Sequence, residues 1–414
     1  MYLFRMPLAL LAAASLVACQ HEPTDLGDLS ASAVSNSRHL VVTPDHLALT
    51  IGGTAQLTAQ VFSSGNNLIK NARVAFASAD PGVATVSATG LVTALAPGAT
   101  TITVSSKRAA DVAVPVTVGA THPVGTIAAT VHATGRLFGA AVNKHGVVYL
   151  TEPDFFRLER IELPAAAFSG TVAVGNQATD VSFDTSGAFA YVTNQFDGNV
   201  GVVASGSSMQ GLTIPLGFAP FRVVASVDAH SAFVSGTAPV IAVVDRLTGT
   251  TVATIPLPDL SNGLALNSSG TRLYASTLFS GMVLEIDATS YAALRTFPIP
   301  GSGTLQAVAV SGDDAELYVA DEGTGQLWII DLGSGSVSGS VALGGGAFEA
   351  KVSPDNAQVY VALPGSGVVR VIDRAARTVV ATIATGGVPR RLAFTADGTT
   401  AVIANESGWV DIIH

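Results

Sequence analysis

Charge is scarce in this chain, yet four charged side chains recur at one place in a repeating unit. Asp180 and Arg222 stand 42 residues apart, and so do Glu349 and Arg391. Charged residues are only 12% of the 414, about half the usual share, so four at equivalent positions ask for a reason. Aligning the units on a shared hairpin gives the equivalent series Gly139, Asp180, Arg222, Gly263, Ala307, Glu349 and Arg391. Two chemistries are open to these groups. Asp180 with Arg222, and Glu349 with Arg391, can form ion pairs lining a ring. Alternatively, the arginines can offer planar, charge-assisted donors to an anionic or zwitterionic ligand. Glu152, Asp154 and Phe196, in loops expected on the same face, extend the candidate binding set. Phe155, Phe156, Phe279 and Phe348 also fall in loops of that face, where each either packs back on its own unit or joins a binding patch.

Other reactive residue types point away from catalysis. His145 and His230 fall in hairpins of separate units on the opposite face, and His132 stands alone. A catalytic pair needs hydrogen-bond reach between its members, and no Ser-His-Asp set is defined by this order. Asp313-Asp314 lacks the spaced oxygen ligands of a calcium loop. The single Cys excludes an intrachain disulfide and a cysteine-based metal site. No catalytic residue, metal ligand or cofactor is therefore expected. The net charge of −10 argues against nucleic-acid binding, which needs a basic face.

The elements that must position these residues are read from a strand that returns seven times. It carries Tyr149, Tyr191, Phe233, Tyr274, Tyr318, Tyr360 and Val402, at steps of 42, 42, 41, 44, 42 and 42. A period of about 40–45 residues with several strands per unit marks a β-propeller blade. Each unit reads as a short apolar inner strand, a tight polar hairpin such as Asp184-Thr185-Ser186-Gly187, the Tyr strand, and a third strand. The third strand often ends in Asp, at Asp245, Asp287, Asp331 and Asp373, which can cap the following turn. A Thr-rich outer strand completes the unit. The last unit ends after its third strand, Trp409-Val410-Asp411-Ile412-Ile413. A strand from Val124 to Thr130 is expected to supply its missing fourth, closing the ring and covering an open edge. The fold class is thus all-β, with a seven-bladed propeller over 124–414.

Upstream, Arg5 precedes an apolar run from Met6 to Ala18, the layout of an export signal and too short for a comfortable membrane span. Leu16-Val17-Ala18-Cys19 resembles a bacterial lipobox. That resemblance implies cleavage before Cys19 and lipidation of its thiol, over a signal at 1–18. Gln20 in place of Asp tilts the same resemblance towards the outer membrane. Residues 19–38 read as the lipidated Cys and a polar tether. Between 39 and 118, period-two alternation such as Ala55, Leu57, Ala59 and Val61, with turn signals at Gly52-Gly53 and Asp80-Pro81-Gly82, indicates a small β-sandwich. The stretches Gly53-Thr54-Ala55-Gln56-Leu57-Thr58-Ala59, Ser78 to Val86 and Gly90-Leu91-Val92-Thr93-Ala94 resemble the bacterial immunoglobulin-like domain of group 2, with Phe76 where that family usually has Trp. A linker is expected at 119–123.

Tyr191-Val192-Thr193-Asn194 spells the tetrapeptide of the YVTN-repeat propellers, and the chain resembles that family over all seven units. The resemblance implies fold and leaves function open. The function expected is non-catalytic binding or scaffolding at the cell envelope through the propeller mouth. The immunoglobulin-like domain is then a spacer, the lipid is the sole membrane contact, and the protein is a monomer. The partner is an envelope protein or glycan. Two alternatives carry other chemistry: a lactonase-like hydrolase or lyase, and an adhesin using the immunoglobulin-like domain.

Overall fold

The computed structural model describes residues 38–50, 53–95, 98–119 and 126–414. The signal, Cys19 and the tether up to residue 37 lie outside the described residues. Those described are almost wholly β, with two short 3₁₀ turns at Pro153–Phe155 and Pro364–Ser366.

The first domain is a sandwich. One sheet orders Leu47–Thr50, Val112–Gly119, Gly98–Ser106 and Val74–Ser78. A second orders Thr54–Gln56, Leu91–Ala94 and Ala84–Val86, and His39–Thr43 pairs with Thr58–Phe62. The alternating residues do what period two requires. Leu57, Val61, Val92, Ile102, Val104, Val114 and Val116 point inward into one core, with Phe76 packed against it. Gly90 sits in the left-handed region at φ +86°, where a Cβ would lie 2.6 Å from the Leu57 carbonyl oxygen and 2.9 Å from the Phe76 ring. Only glycine fits there. The sandwich runs through Gly119, one residue into the expected linker.

Seven four-stranded antiparallel sheets follow. The first contains Ala140–Val142, Val147–Glu152, Arg157–Glu162 and Phe168–Ala173, in that order from inside to outside. The next five repeat this plan. The repeated aromatic row is buried throughout: Tyr149, Tyr191, Phe233, Tyr274, Tyr318 and Tyr360, with Val402 in the seventh blade. Each first hairpin places one residue in the left-handed region, at Gly146, Gly187, Ala229, Gly270, Asp314, Asn356 and Gly398, as hairpins of this length require. The four aspartates that end third strands act as turn caps. Their carboxylates accept the backbone N–H three residues on, from Thr248, Ser290, Ser334 and Ala376.

The seventh blade contains Pro389–Phe394, Ala401–Asn405 and Trp409–Ile413, and its outer strand is Ile127–His132. The register pairs Ile127 with Ile413, Thr130 with Asp411 and His132 with Trp409. The Thr130 hydroxyl donates to Asp411 at 2.6 Å. One apolar cluster joins Leu137, Val148, Leu150 and Ile161 of the first blade to Val402, Ala404, Val410 and Ile412 of the last, so the ring is closed by packing as well as by strand pairing. The closing strand extends two residues beyond the expected Thr130.

Candidate functional site

The inner strands set their first charged residues into the channel by local irregularity. Register shifts fall between Ala178 and Asp180, Pro220 and Arg222, and Pro389 and Leu392. A bulge re-aims the side chain beside it. Asp180, Arg222 and Arg391 sit at or beside these irregularities, and with Glu349, from a strand of regular register, they converge in one cluster, each 3% exposed or less. Its strongest contact crosses the ring. Arg222 binds Glu349 with two parallel N–H donors, at 2.6 and 3.1 Å. Arg391 donates to the same carboxylate at 2.8 Å. Asp180 lies 3.3 Å from Arg391 Nε and 3.7 Å from Arg222 Nε, and it accepts the Val223 backbone N–H at 3.0 Å. The expected neighbour pairs are thus merged into one four-membered network. Burial opposes the charge on Arg222, but Glu349 and Asp180 outweigh it and raise its pKa. Burial also raises the Asp180 carboxyl, against the pull of Arg222.

Next to this network stand three aromatic rings, two from the loops leading into inner strands, Phe138 and Phe348, and one from the inner strand Pro220–Ala225, Phe221. Phe138, Phe221 and Phe348 meet edge to face at 5.7, 5.8 and 6.5 Å between centroids. The Arg391 guanidinium lies against Phe221 at 5.2 Å, and Arg390 covers Phe348 at 4.7 Å. Three rings and four charges therefore fill the channel below the mouth. Phe138 and Phe221 were not singled out from sequence. A signal was present: Phe directly precedes the channel residue in three units, at Phe138-Gly139, Phe221-Arg222 and Phe348-Glu349.

The remaining candidates occupy the rim. Glu152 is fully buried and holds the lead-in loop of its blade, accepting from the Gly135 N–H and the Thr134 hydroxyl while pairing with Arg157. The same position is used again around the ring. Asn194 accepts from Gly175 N–H at 3.1 Å, Asp321 from Gly303 at 2.8 Å, and Asn405 from Val388 at 2.8 Å. The Asn of the YVTN tetrapeptide is therefore a buried loop tie. Arg157 also pairs with Glu159 at 2.8 Å. Burial, then the adjacent Glu152 carboxylate, pushes Glu159 up to about 7 while Arg157 pulls the other way. Asp154 binds Arg136 at 2.8 Å, and Arg136 reaches Glu406, which also holds Arg390 at 2.6 Å. Phe196 is 70% exposed, and Phe155, Phe156 and Phe279 are 49, 51 and 65% exposed. The histidines stay apart: His230 binds Asp245 at 2.7 Å, and His132 stacks edge-on against Trp409.

Phe156 differs from its counterparts. Its φ is +55°, and its carbonyl accepts the N–H of Val174 at the start of the next lead-in loop. Gly198, Gly281, Gly325, Gly367 and Gly408 make the equivalent bond in other blades, all at positive φ. Phe156 alone in this set carries a side chain in that conformation.

An all-β chain of a small sandwich and a closed seven-bladed ring is the class that this geometry defines. Residues 39–118 match the family model for the bacterial Ig-like domain (group 2), and that segment is such a domain. No curated protein matches the chain. Among solved structures, Kuenenia stuttgartiensis hydrazine synthase is similar at 20% sequence identity with a TM-score of 0.63. The match covers 67% of this chain and 95% of that one. The likeness is one of fold.

Proposed function

We propose that this protein is a non-catalytic binding module of the bacterial cell envelope. A lipid on Cys19 holds it at the membrane, the Ig-like domain spaces it outward, and the propeller takes an envelope protein or glycan on its rim loops. The channel charges serve the ring, because each already has its partner within the network. Binding therefore belongs to the exposed aromatics around the mouth, where Phe155, Phe156, Phe196 and Phe279 leave large apolar surface in water.

One observation carries this reading. Phe156 occupies a left-handed position that five equivalent residues fill with glycine. An L side chain there costs about 1–2 kcal/mol, and its ring is half exposed, so packing does not recover the cost. A strained, exposed aromatic is retained for what it touches. Phe156→Gly is expected to raise the melting temperature of the protein and to abolish capture of its partner from solubilised envelope. Capture equal to wild type would remove this rim from the binding surface.

A further inference from the structure

The channel has a second opening, on the hairpin face opposite the aromatic rim. A cavity of about 410 Å³ enters there and ends against Arg222, Glu349 and Arg391. One layer below the charged network, its walls are small residues: Ala141, Ser182, Val224 and Ala393. Lys351 is the exception. It stands two residues after Glu349 on the same inner strand, so both side chains point into the channel. Among the described residues, no carboxylate comes within ion-pair distance of Lys351, and Glu349 is already paired with two arginines. Desolvation, then the charge of Arg222, holds its ammonium below the ordinary lysine range. At the outer edge, Lys144 is exposed. The one acidic group at that edge, Asp184, is occupied by its own hairpin, accepting from the Ser186 hydroxyl and the Ala188 and Phe189 N–H groups.

We infer that this cavity is a binding site for a small oxyanion, a carboxylate or phosphate, with Lys351 as its counter-ion. The network above contributes two positive and two negative charges and so leaves Lys351 uncompensated. An anion seated among the small residues pairs with the ammonium, and the Ser182 hydroxyl, which accepts from the Ala225 N–H, keeps its own proton to donate. The volume suits a small metabolite. The site lies on the other face from the rim aromatics and stands whether or not they bind a partner.

The test is calorimetric titration of the full-length protein with inorganic phosphate, acetate and citrate separately, which distinguishes the two oxyanion classes. Saturable one-to-one binding of at least one is expected, weakened at least tenfold in Lys351→Met and much less in Lys144→Met. Failure of all three anions to saturate the wild type, or equal affinity in Lys351→Met, overturns the inference. A readout without mutation runs beside it. After reductive ¹³C-methylation, the Lys351 dimethylamine resonance should shift on addition of the bound anion. An unmoved Lys351 resonance also overturns the inference.

Discussion

Arg222 illustrates how a residue chosen for ligand chemistry can be committed to the ring. Its fork matches the Glu349 carboxylate across the channel, and both are out of water. Without Arg222, two buried carboxylates must share Arg391, so one negative charge loses its counter-charge, at a cost of about 3–5 kcal/mol. Arg222→Met is expected to lose that much in denaturant unfolding. Adding Glu349→Leu should return part of it, since Arg391 and Asp180 still face each other. Additive losses in the double variant would show that the two side chains do not act as a pair. The four positions were legible from period and charge alone. Their pairing was not, because it depends on channel width and on bulges that turn Asp180, Arg222 and Arg391 inward. Phe156 carries a related lesson. Its exposure followed from its loop, but its backbone strain became visible only beside the glycines that replace it in other blades.

At the scale of elements, the repeat was read almost complete, because each blade obeys the same local rules. Tyr149 and its counterparts bury against the neighbouring sheet, and Asp245, Asp287, Asp331 and Asp373 cap the turns after third strands. What local rules do not display is reach between elements. Glu152 reads as a rim-loop residue from sequence, yet it, Asn194, Asp321 and Asn405 each tie down the lead-in loop of their own blade. The closing strand is the exception, since the fourth strand lacking after Trp409–Ile413 exposed its role. Deleting Ile127–His132 removes ladder hydrogen bonds at about 1 kcal/mol each and uncovers the faces that Ala129 and Val131 pack against. The shortened protein is expected to melt at least 10 °C lower and to aggregate. Trp409, paired with His132 in the ladder, should show a red-shifted emission in the same protein. An unchanged melting curve and spectrum would mean that the ring does not depend on this strand.

For the whole molecule, the proposed lipid anchor is separable from the architecture. Cys19→Ser is expected to leave the exported protein in the aqueous phase of a detergent partition, with the melting curve of its folded domains unchanged; partition into detergent by that variant would refute the lipid anchor. The closed ring has a consequence in time. Thr130 bonds Asp411, 281 residues away. At synthesis rates of about 5–20 residues per second, the closing strand waits roughly 15–60 s for its partner to be made. During that interval the closing strand is an unpaired edge at the start of the propeller, and the edge of the last blade joins it once that blade is made. Neither can be covered by any segment made in between, because the six intervening blades complete themselves. Two chains made side by side therefore hold interchangeable ends, and the strand that closes one ring is equally suited to close its neighbour's. Crowding of nascent chains, rather than any feature of the finished ring, then decides whether single rings or strand-exchanged pairs accumulate.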